Sequence, residues 1–338
     1  MRCRAAGNVH QLEVGRRDRV TQDHLIEGVL HCPNPSCRCE YPVVDGVPML
    51  VLDLGAHLRH DALPFLLRPD LSADTLGVFT DAWGPDSPLE SLQRLLSHYV
   101  AGHFPEALPR LPRIPPASPL LPVLEAALQD VSPGPVALDH GCGLGRSTLE
   151  LARRGHGLVL GLDLSFAMLR FAGTLLRTGS VRVPIRRVGA VYDQVELCWD
   201  AESAETVDFW MADALAIPLA DGLADLSLSF NLLDCVQAPS VHLAELARLS
   251  ATDRPATIAV ATPFDWSSAA TPFGHWVGGH SSRGQDGGAA VPRLQLLANH
   301  AMPDLPLLDL RTDLPWSVRS HDRSAVHYDL TLARWRRS

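Results

Sequence analysis

The spacing of hydrophobic positions changes its period along this chain. From about residue 120, short apolar runs alternate with segments in which apolar residues recur every three or four positions. The runs at 136–139, 158–163, 225–230 and 256–261 predict buried strands, and the segments at 120–129, 147–154, 165–176 and 240–249 predict helices. Strands that alternate with helices of this length predict an α/β fold, with a parallel sheet covered on both faces.

Composition divides the chain into three zones. Residues 1–55 hold four of the seven cysteines and end in an Asp-Gly turn before an apolar run, which predicts a small β-rich module. Residues 56–119 contain a helical leucine spacing near 88–101 and close in a stretch too rich in proline for regular structure. We interpret this zone as a helical and proline-rich connector, and residues 120–338 as the α/β domain.

The α/β domain is predicted to carry an insertion near 178–205. Fifty residues separate Asp163 from Asp213, about twice what one helix and one strand need with ordinary loops. Residues 181–191 alternate in a way that favours a hairpin. Such a hairpin would be either a lid over the substrate or a surface ornament.

Bulk composition limits the partners. The formal net charge is −9 and no long basic run occurs, so no nucleic-acid partner is expected. No apolar stretch reaches the roughly 18 residues of a membrane helix, and no secretory signal is recognised. Unevenly spaced cysteines do not form a disulfide framework, which favours a cytoplasmic protein. A small-molecule substrate is therefore expected.

The sharpest chemical signal is Asp139-x-Gly141-x-Gly143-x-Gly145, directly after a predicted strand and before a predicted helix. Glycines let the backbone approach a ligand closely, and the helix N-terminus presents amides to it. Asp163 ends the next strand, where a carboxylate can accept both hydroxyls of a ribose. A dinucleotide site is the competing interpretation, but its third glycine would be needed where Arg146 stands.

Four segments, at 136–147, 161–165, 211–219 and 225–234, resemble in order the motifs of class I S-adenosylmethionine-dependent methyltransferases. The resemblance covers about residues 120–265. It implies a doubly wound, mostly parallel seven-stranded Rossmann-like sheet and S-adenosylmethionine as cofactor. The residues implied to bind the cofactor are Asp139, Gly141, Cys142, Gly143, Gly145, Asp163, Leu164, Asp213, Ala214 and Asn231.

A narrower resemblance links the chain to the ovothiol-pathway methyltransferases, which methylate an imidazole nitrogen of 4-mercaptohistidine. It rests on Asn-Leu-Leu-Asp at 231–234, Thr-Pro-Phe-Gly-His-Trp-Val-Gly-Gly at 271–279 and the closing Trp-Arg-Arg at 335–337. One departure is Phe-Asp-Trp at 264–266, where that family has Tyr-Thr-Trp. A phenol is absent there and the carboxylate of Asp265 is added, which puts the substrate's identity in question.

Methyl transfer requires an aligned nucleophile and excluded water, and a nitrogen or oxygen nucleophile also loses a proton. The candidate groups to accept this proton are Asp234, Asp265, His275 and His280. Arg319 or Arg283 could hold a substrate carboxylate in bidentate fashion. Trp266 and Trp276 could equally be core residues or walls of a substrate pocket.

The N-terminal zone resembles the small zinc-binding activator proteins of methyltransferases, through Tyr-Pro-Val-Val-Asp-Gly-Val-Pro at 41–48. Cys32 and Cys37 could form one zinc knuckle. The other ligands would have to come from Cys3 with His10 or Cys39. A degenerate, metal-free module is the alternative.

The sequence thus favours N-methylation of a small imidazole or thiol-bearing histidine derivative, similar to 4-mercaptohistidine. Two alternatives stay open. One is a methyltransferase for a protein or another small metabolite, which the activator-like module suggests. The other is a catalytically silent, cofactor-binding regulatory subunit.

Overall fold

The computed structural model describes residues 10–21, 23–37, 39–51, 53–54, 57, 84–109, 112–200, 204–284 and 287–337. Several predictions from the sequence lie outside these residues: Cys3, most of the 56–83 part of the connector, and residues 201–203 of the insertion.

A four-stranded antiparallel sheet forms the N-terminal module. Its strands are β1 (Glu13–Thr21), β2 (His24–His31), β3 (Glu40–Val44) and β4 (Val47–Pro48), paired in chain order. Among the described residues, no three His, Cys, Asp or Glu side chains are grouped so that they could hold a metal ion. The zinc site drawn from Cys32 and Cys37 is therefore not supported.

The second half of the chain forms a seven-stranded sheet. Its strands are β5 (Val136–His140), β6 (Leu158–Asp163), β9 (Val207–Met211), β10 (Leu226–Phe230), β11 (Ala256–Thr262), β12 (Leu307–His321) and β13 (Ser324–Arg337). Their order is β12-β13-β11-β10-β5-β6-β9, and β13 runs in the direction opposite to that of the other six strands. The predicted doubly wound, mostly parallel seven-stranded sheet is confirmed. The order reverses between β5 and β10, which is where open α/β sheets bind ligands.

Six helices are described: α1 (Pro88–His103), α2 (Leu120–Ala127), α3 (Arg146–Arg153), α4 (Phe166–Thr178), α5 (Pro239–Leu249) and α6 (Ala290–Ala301). Helices α5 and α6 cover one sheet face with Leu243, Leu246 and Leu294. The other face carries a larger core that includes Phe104, Leu151 and Phe166. Strands buried on both faces are continuous apolar runs, as in β11, because neither face meets water. None of the described helices has the length and hydropathy of a membrane span.

The N-terminal module joins the large sheet at its β9 edge. The Leu50 N–H donates a 2.8 Å hydrogen bond to the carbonyl of Met211, and Met49 forms a parallel bridge with the same residue. The backbone after β4 therefore continues the sheet beyond β9, and the edge that β9 would expose is paired.

The predicted insertion forms a hairpin of β7 (Ser180–Val188) and β8 (Val191–Cys198). It packs against α1, where the Arg186 N–H donates to the Ser97 Oγ at 2.8 Å and the Tyr192 hydroxyl donates to Glu90 at 2.7 Å. The polar residues Glu90 and Ser97 are accordingly buried in α1. The hairpin thus fixes the position of α1, a helix that the sequence assigned to a connector.

Candidate functional site

The glycine loop follows β5 with three left-handed residues. Gly141, Gly143 and Gly145 have φ of 69°, 55° and 80°. The Gly141 N–H donates to the carbonyl of Leu162 at 2.7 Å, which ties the loop to the end of β6. A Cβ on Gly141 would lie 2.9 Å from Leu232, so this position needs glycine for its conformation and for its space.

Two buried carboxylates flank the loop. Asp139 accepts hydrogen bonds from the hydroxyls of Ser147 at 2.5 Å and Thr148 at 2.6 Å. Burial nevertheless raises the pKa of Asp139 to about 6, because desolvation outweighs these two bonds. Asp163 accepts from the backbone N–H of Gly143 at 2.9 Å and of Ser165 at 2.8 Å, one on each oxygen, and burial raises its pKa.

Arg146, the residue that argued against a dinucleotide loop, has a structural role. Its guanidinium is buried and donates to the carbonyl of His103 at 2.7 Å. It also pairs with Glu106 and Glu150 and lies over the ring of Trp199. These contacts fix the start of α3 against the end of α1, so Arg146 points away from the loop's ligand side.

A cavity of about 770 Å³ opens at the carboxyl ends of β5, β6, β9 and β10. This volume is in the usual range for a small-molecule site. Most of the residues predicted to bind the cofactor are in its wall: Asp139, Gly141, Cys142, Asp163, Leu164, Asp213, Ala214 and Asn231. Gly143 and Gly145 do not line it. They shape the turn, and Gly145 is the N-cap of α3.

Asn231 directly follows β10 and adopts the left-handed conformation. Its φ is 53°, which is uncommon for a residue with a side chain. Its Oδ1 is buried and has no hydrogen-bond partner among the described residues. An unpaired buried acceptor in a cavity wall indicates a binding role for a donor such as an ammonium group.

At its other end the cavity is acidic and aromatic. The Asp265 N–H donates to Asp234 at 2.9 Å, and the Tyr328 hydroxyl donates to the Asp265 carboxylate. Burial raises the pKa of Asp234 and raises that of the nearby Cys235 to about 12, so this thiol stays protonated at neutral pH. No arginine occurs in the described part of this wall.

The structure does not bring the other predicted substrate residues to the cavity. The Nδ1 of His275 is 2.7 Å from the carbonyl of Gln237, and His275 is outside the cavity wall. Trp266 and Trp276 stack on each other, 6.3 Å between ring centroids, and are likewise outside it. His280 and Arg283 are not in the wall either.

Arg319 requires a correction. It was predicted to hold a substrate carboxylate, but its guanidinium is fully buried, pairs with Asp322 and donates to the carbonyl of Pro112 at 2.9 Å. On β12 the side chains alternate between faces, and its neighbours Val318 and Trp316 are the ones that line the cavity. A strand's period of two therefore places Arg319 on the other side.

Sequence reasoning missed the walls supplied by α1 and by the β12–β13 hairpin. His98 and Tyr99 come from α1, and Trp316, Val326 and Tyr328 from the hairpin. Tyr99 lies in the helix predicted near 88–101, and its 37% exposed side chain faces the cavity rather than the core. The signal available in the sequence was the alternation of apolar and polar residues over 324–330. This alternation predicts a strand but does not indicate which of its faces meets a ligand.

Comparison with known families agrees with this geometry. Residues 138–253, about a third of the chain, match the family described as "Methyltransferase domain". No curated protein matches the sequence. The family match and the fold define the class of this part of the chain: residues 138–253 form a methyltransferase domain of the S-adenosylmethionine-dependent type.

Several solved structures are similar at low identity. One is a SAM-dependent methyltransferase from Methanosarcina mazei, with 18% identity, 63% of this chain and 96% of that chain covered, and a TM-score of 0.40. Another is a TehB-like SAM-dependent methyltransferase from Corynebacterium glutamicum, with 15% identity, 63% and 86% covered, and a TM-score of 0.37. A third is a SAM-dependent methyltransferase from Aquifex aeolicus, with 14% identity, 73% and 97% covered, and a TM-score of 0.39. These values are too low to bear on the substrate.

The residues present fit S-adenosylmethionine. Asp163 accepts backbone bonds from Gly143, Ser165 and Leu164, and a carboxylate, which has about four acceptor sites, keeps capacity for a ribose hydroxyl. The unpaired Oδ1 of Asn231 and the carboxylate of Asp139 suit the ammonium of the methionine part. Asp213 already accepts from the Leu215 N–H at 2.9 Å and has its second oxygen available for the adenine amino group.

Proposed function

We propose that this protein transfers the methyl group of S-adenosylmethionine to a nitrogen of a small molecule that carries an imidazole or an amine. The observation behind this proposal is the pair Asp234 and Asp265, which lies in the same cavity as the glycine loop. The narrower sequence resemblance makes 4-mercaptohistidine the first acceptor to test.

When bound, S-adenosylmethionine supplies a methyl group on a sulfonium sulfur, and the new N–C bond forms as the S–C bond breaks. The acceptor nitrogen must also give up a proton. Asp265 is the more exposed of the two carboxylates and is oriented by Tyr328. It is therefore suited to take the proton from the acceptor nitrogen. The proton thus passes from nitrogen to carboxylate and then to solvent.

Asp234 positions Asp265 and does not itself take the proton. Its Oδ2 accepts the Asp265 N–H and its Oδ1 accepts from the Thr262 hydroxyl at 3.3 Å, so it holds the loop after β11 against the end of β10. Its negative charge also stabilises positive charge that develops on the acceptor nitrogen. Such a fixed charge acts strongly where it is buried, and Asp234 is only 4% exposed.

The aromatic residues of the wall suit a flat, cationic acceptor. Tyr99, Trp316 and Tyr328 line the same cavity as the two carboxylates, and ring faces attract positive charge. His98 adds no positive charge, because burial and the nearby arginines lower its pKa. The sulfonium and a cationic acceptor would repel each other, and the two carboxylates offset this repulsion.

The test is a methyl-transfer assay on the full-length protein. Formation of S-adenosylhomocysteine would be followed with 4-mercaptohistidine, histidine, histamine and 4-methylimidazole as acceptors, and the methylated atom would be located by NMR. We expect methylation on nitrogen for at least one imidazole. Exclusive methylation of sulfur or oxygen would overturn the choice of acceptor atom, and turnover only on a protein would overturn the small-molecule substrate.

The two matched variants D265N and D234N separate the proposed roles. D265N is expected to lower turnover while S-adenosylhomocysteine binding stays near that of the wild type. D234N is expected to lower turnover and also to loosen the loop after β11, which hydrogen exchange of the Asp265 amide would report. If neither variant changes turnover, the acidic end of the cavity is not the acceptor site.

A further inference from the structure

A second cavity, of about 440 Å³, lies between the N-terminal module and the large sheet. Residues of β2, of the end of α4 and of β9 contribute to its wall. Its volume is in the usual range for a small-molecule site. Many of the side chains that line it are apolar, among them Leu25, Leu30 and Leu176. A ligand of this cavity therefore needs an apolar body.

Arg177 contributes a positive charge to this wall. It lies in the last turn of α4, and its guanidinium has no hydrogen bond or ion pair within the described part of the chain. Asp45 is near enough to affect it but pairs with Arg19 and Arg170 instead. Burial lowers the pKa of Arg177, and the charges of Asp45 and Asp208 offset part of this effect. An unpaired guanidinium in an apolar cavity suits a carboxylate, whose two oxygens match its planar N–H groups.

Two glycines make room for this guanidinium. Gly46, in the turn between β3 and β4, would place a Cβ 2.5 Å from the Arg177 Nη1. Gly173, one turn earlier on α4, would place a Cβ 2.9 Å from the same atom. Real Cβ atoms do not approach other atoms this closely, so a side chain at either position would displace the guanidinium. Glycine inside a helix is unfavourable, and the space it leaves for Arg177 gives Gly173 a reason.

Asp208 contributes the opposite charge to the same wall. Its Oδ1 accepts the Phe209 N–H at 2.8 Å and its Oδ2 accepts the Trp210 Nε1–H at 2.7 Å, which fixes the carboxylate beside β9. The side chain is accessible, but because its accessible surface opens into the cavity, the surrounding protein still raises its pKa. These two bonds and the charges of His24 and Arg177 counter part of this rise. A carboxylate has about four acceptor sites, so capacity for an ammonium group remains.

Arg177 and Asp208 form no ion pair with each other, although each affects the pKa of the other. Opposite charges that share a wall without contact suit the two charged groups of one small zwitterion.

We propose that this cavity binds an α-amino acid with an apolar side chain, whose carboxylate pairs with Arg177 and whose ammonium pairs with Asp208. None of the described residues lines both this cavity and the one beside the glycine loop, so the two sites are distinct. The apolar side chain would contact Leu25 and Leu30 of the module, while both charges come from the methyltransferase domain. Binding should therefore hold the two parts of the chain together and raise the melting temperature.

The experiment is calorimetric titration of the full-length protein with L-phenylalanine, L-leucine, phenethylamine and 3-phenylpropanoate. Phenethylamine lacks the carboxylate, and 3-phenylpropanoate lacks the amine. We expect at least one amino acid to bind about tenfold or more tightly than either analogue, because each analogue loses one charge-assisted contact. S-adenosylhomocysteine should not compete, since it would occupy the other cavity.

Two variants assign the two contacts. R177M is expected to weaken binding of the amino acid about tenfold and to leave phenethylamine unchanged. D208N is expected to weaken the amino acid by a similar factor and to leave 3-phenylpropanoate unchanged or improved. R182M is the matched control for the loss of a positive charge, because Arg182 is exposed on β7 and is outside the wall of this cavity.

Equal, weak binding of all four compounds would overturn the proposal, and Arg177 would then serve only the C-terminus of α4. Displacement of the amino acid by S-adenosylhomocysteine, or binding that R177M and R182M affect alike, would place the amino acid elsewhere and also overturn it. Should a variant not fold, the NMR signal of the Trp210 indole N–H in the wild-type protein replaces it, since this group bonds Asp208. The signal must shift with the amino acid and stay in place with 3-phenylpropanoate.

Discussion

The backbone N–H of Asp265 donates a 2.9 Å hydrogen bond to the carboxylate of Asp234. The two residues follow adjacent strands, β10 and β11, and are 31 positions apart in the chain. Because parallel strands end at the same edge of the sheet, this one bond brings two carboxylates into one cavity beside the glycine loop. The charge at the acceptor end is thus a consequence of the strand order.

The first prediction concerns this pair. D265N is expected to lower kcat about 100-fold, because the acceptor nitrogen loses the group that takes its proton. The dissociation constant of S-adenosylhomocysteine should change less than threefold, since Asp265 is at the other end of the cavity. Steady-state kinetics and calorimetry check both numbers. Y328F, which only removes the hydroxyl that orients Asp265, should have a smaller effect of the same kind.

The second prediction is a pH dependence of cofactor binding. The pKa of Asp139 is raised to about 6 by burial, so its carboxylate is protonated in much of the protein below pH 6. A cationic cofactor binds the ionised form better, and its affinity should therefore fall as the pH drops below 6, by up to about tenfold per pH unit. Titration calorimetry between pH 5 and 8, values chosen around the cited pKa, measures this slope.

The control for this pH dependence is D139N, which should bind weakly but with a flatter profile. Asp163, whose pKa is also raised by burial, contributes whatever slope remains. For folding the sign is opposite. Because the folded protein holds the Asp139 proton more tightly, the contribution of Asp139 to folding stability is fully present below its unfolded pKa of about 4 and is lost as the pH rises through about 6. An affinity that rises on acidification would contradict the proposed role of Asp139.

The third prediction separates loop geometry from general backbone strain. G141A places a side chain in the left-handed region, where its Cβ would be 2.9 Å from Leu232. We expect loss of at least about tenfold in S-adenosylhomocysteine affinity. G189A at the turn of the β7–β8 hairpin is the matched control, since it has the same sign of φ but nothing within 4 Å. Both variants should lose roughly 1 kcal/mol of folding stability or more, but only G141A should lose affinity for S-adenosylhomocysteine.

Local pattern predicted four strands of the large sheet and the residues proposed for the cofactor end of the site. The glycine loop directly follows β5, Asp163 ends β6 and Asp213 lies two residues after β9, and a strand end fixes where the next residues lie. The acceptor end depends on contacts between distant segments. Tyr99 faces the cavity because the β7–β8 hairpin holds α1 through Ser97, a contact between residues 89 positions apart that no local pattern encodes.

Arg319 is a residue for which local sequence predicted a place in the site that the structure does not give it. Its residue type fits a substrate carboxylate, and only the strand register reveals that it faces away from the cavity.

We predict that R319M destabilises the fold by about 3 kcal/mol, because the buried pair with Asp322 and the bond to the Pro112 carbonyl are lost. Urea denaturation measures this change. The KM of any acceptor, with or without a carboxylate, should stay within about twofold at temperatures where the variant is folded, since Arg319 does not line the cavity. R323M is the control, because Arg323 is exposed in the same hairpin. If R319M is as stable as R323M but raises the KM of carboxylate-bearing acceptors alone, then Arg319 does hold the substrate, and the placement of β12 described here is wrong.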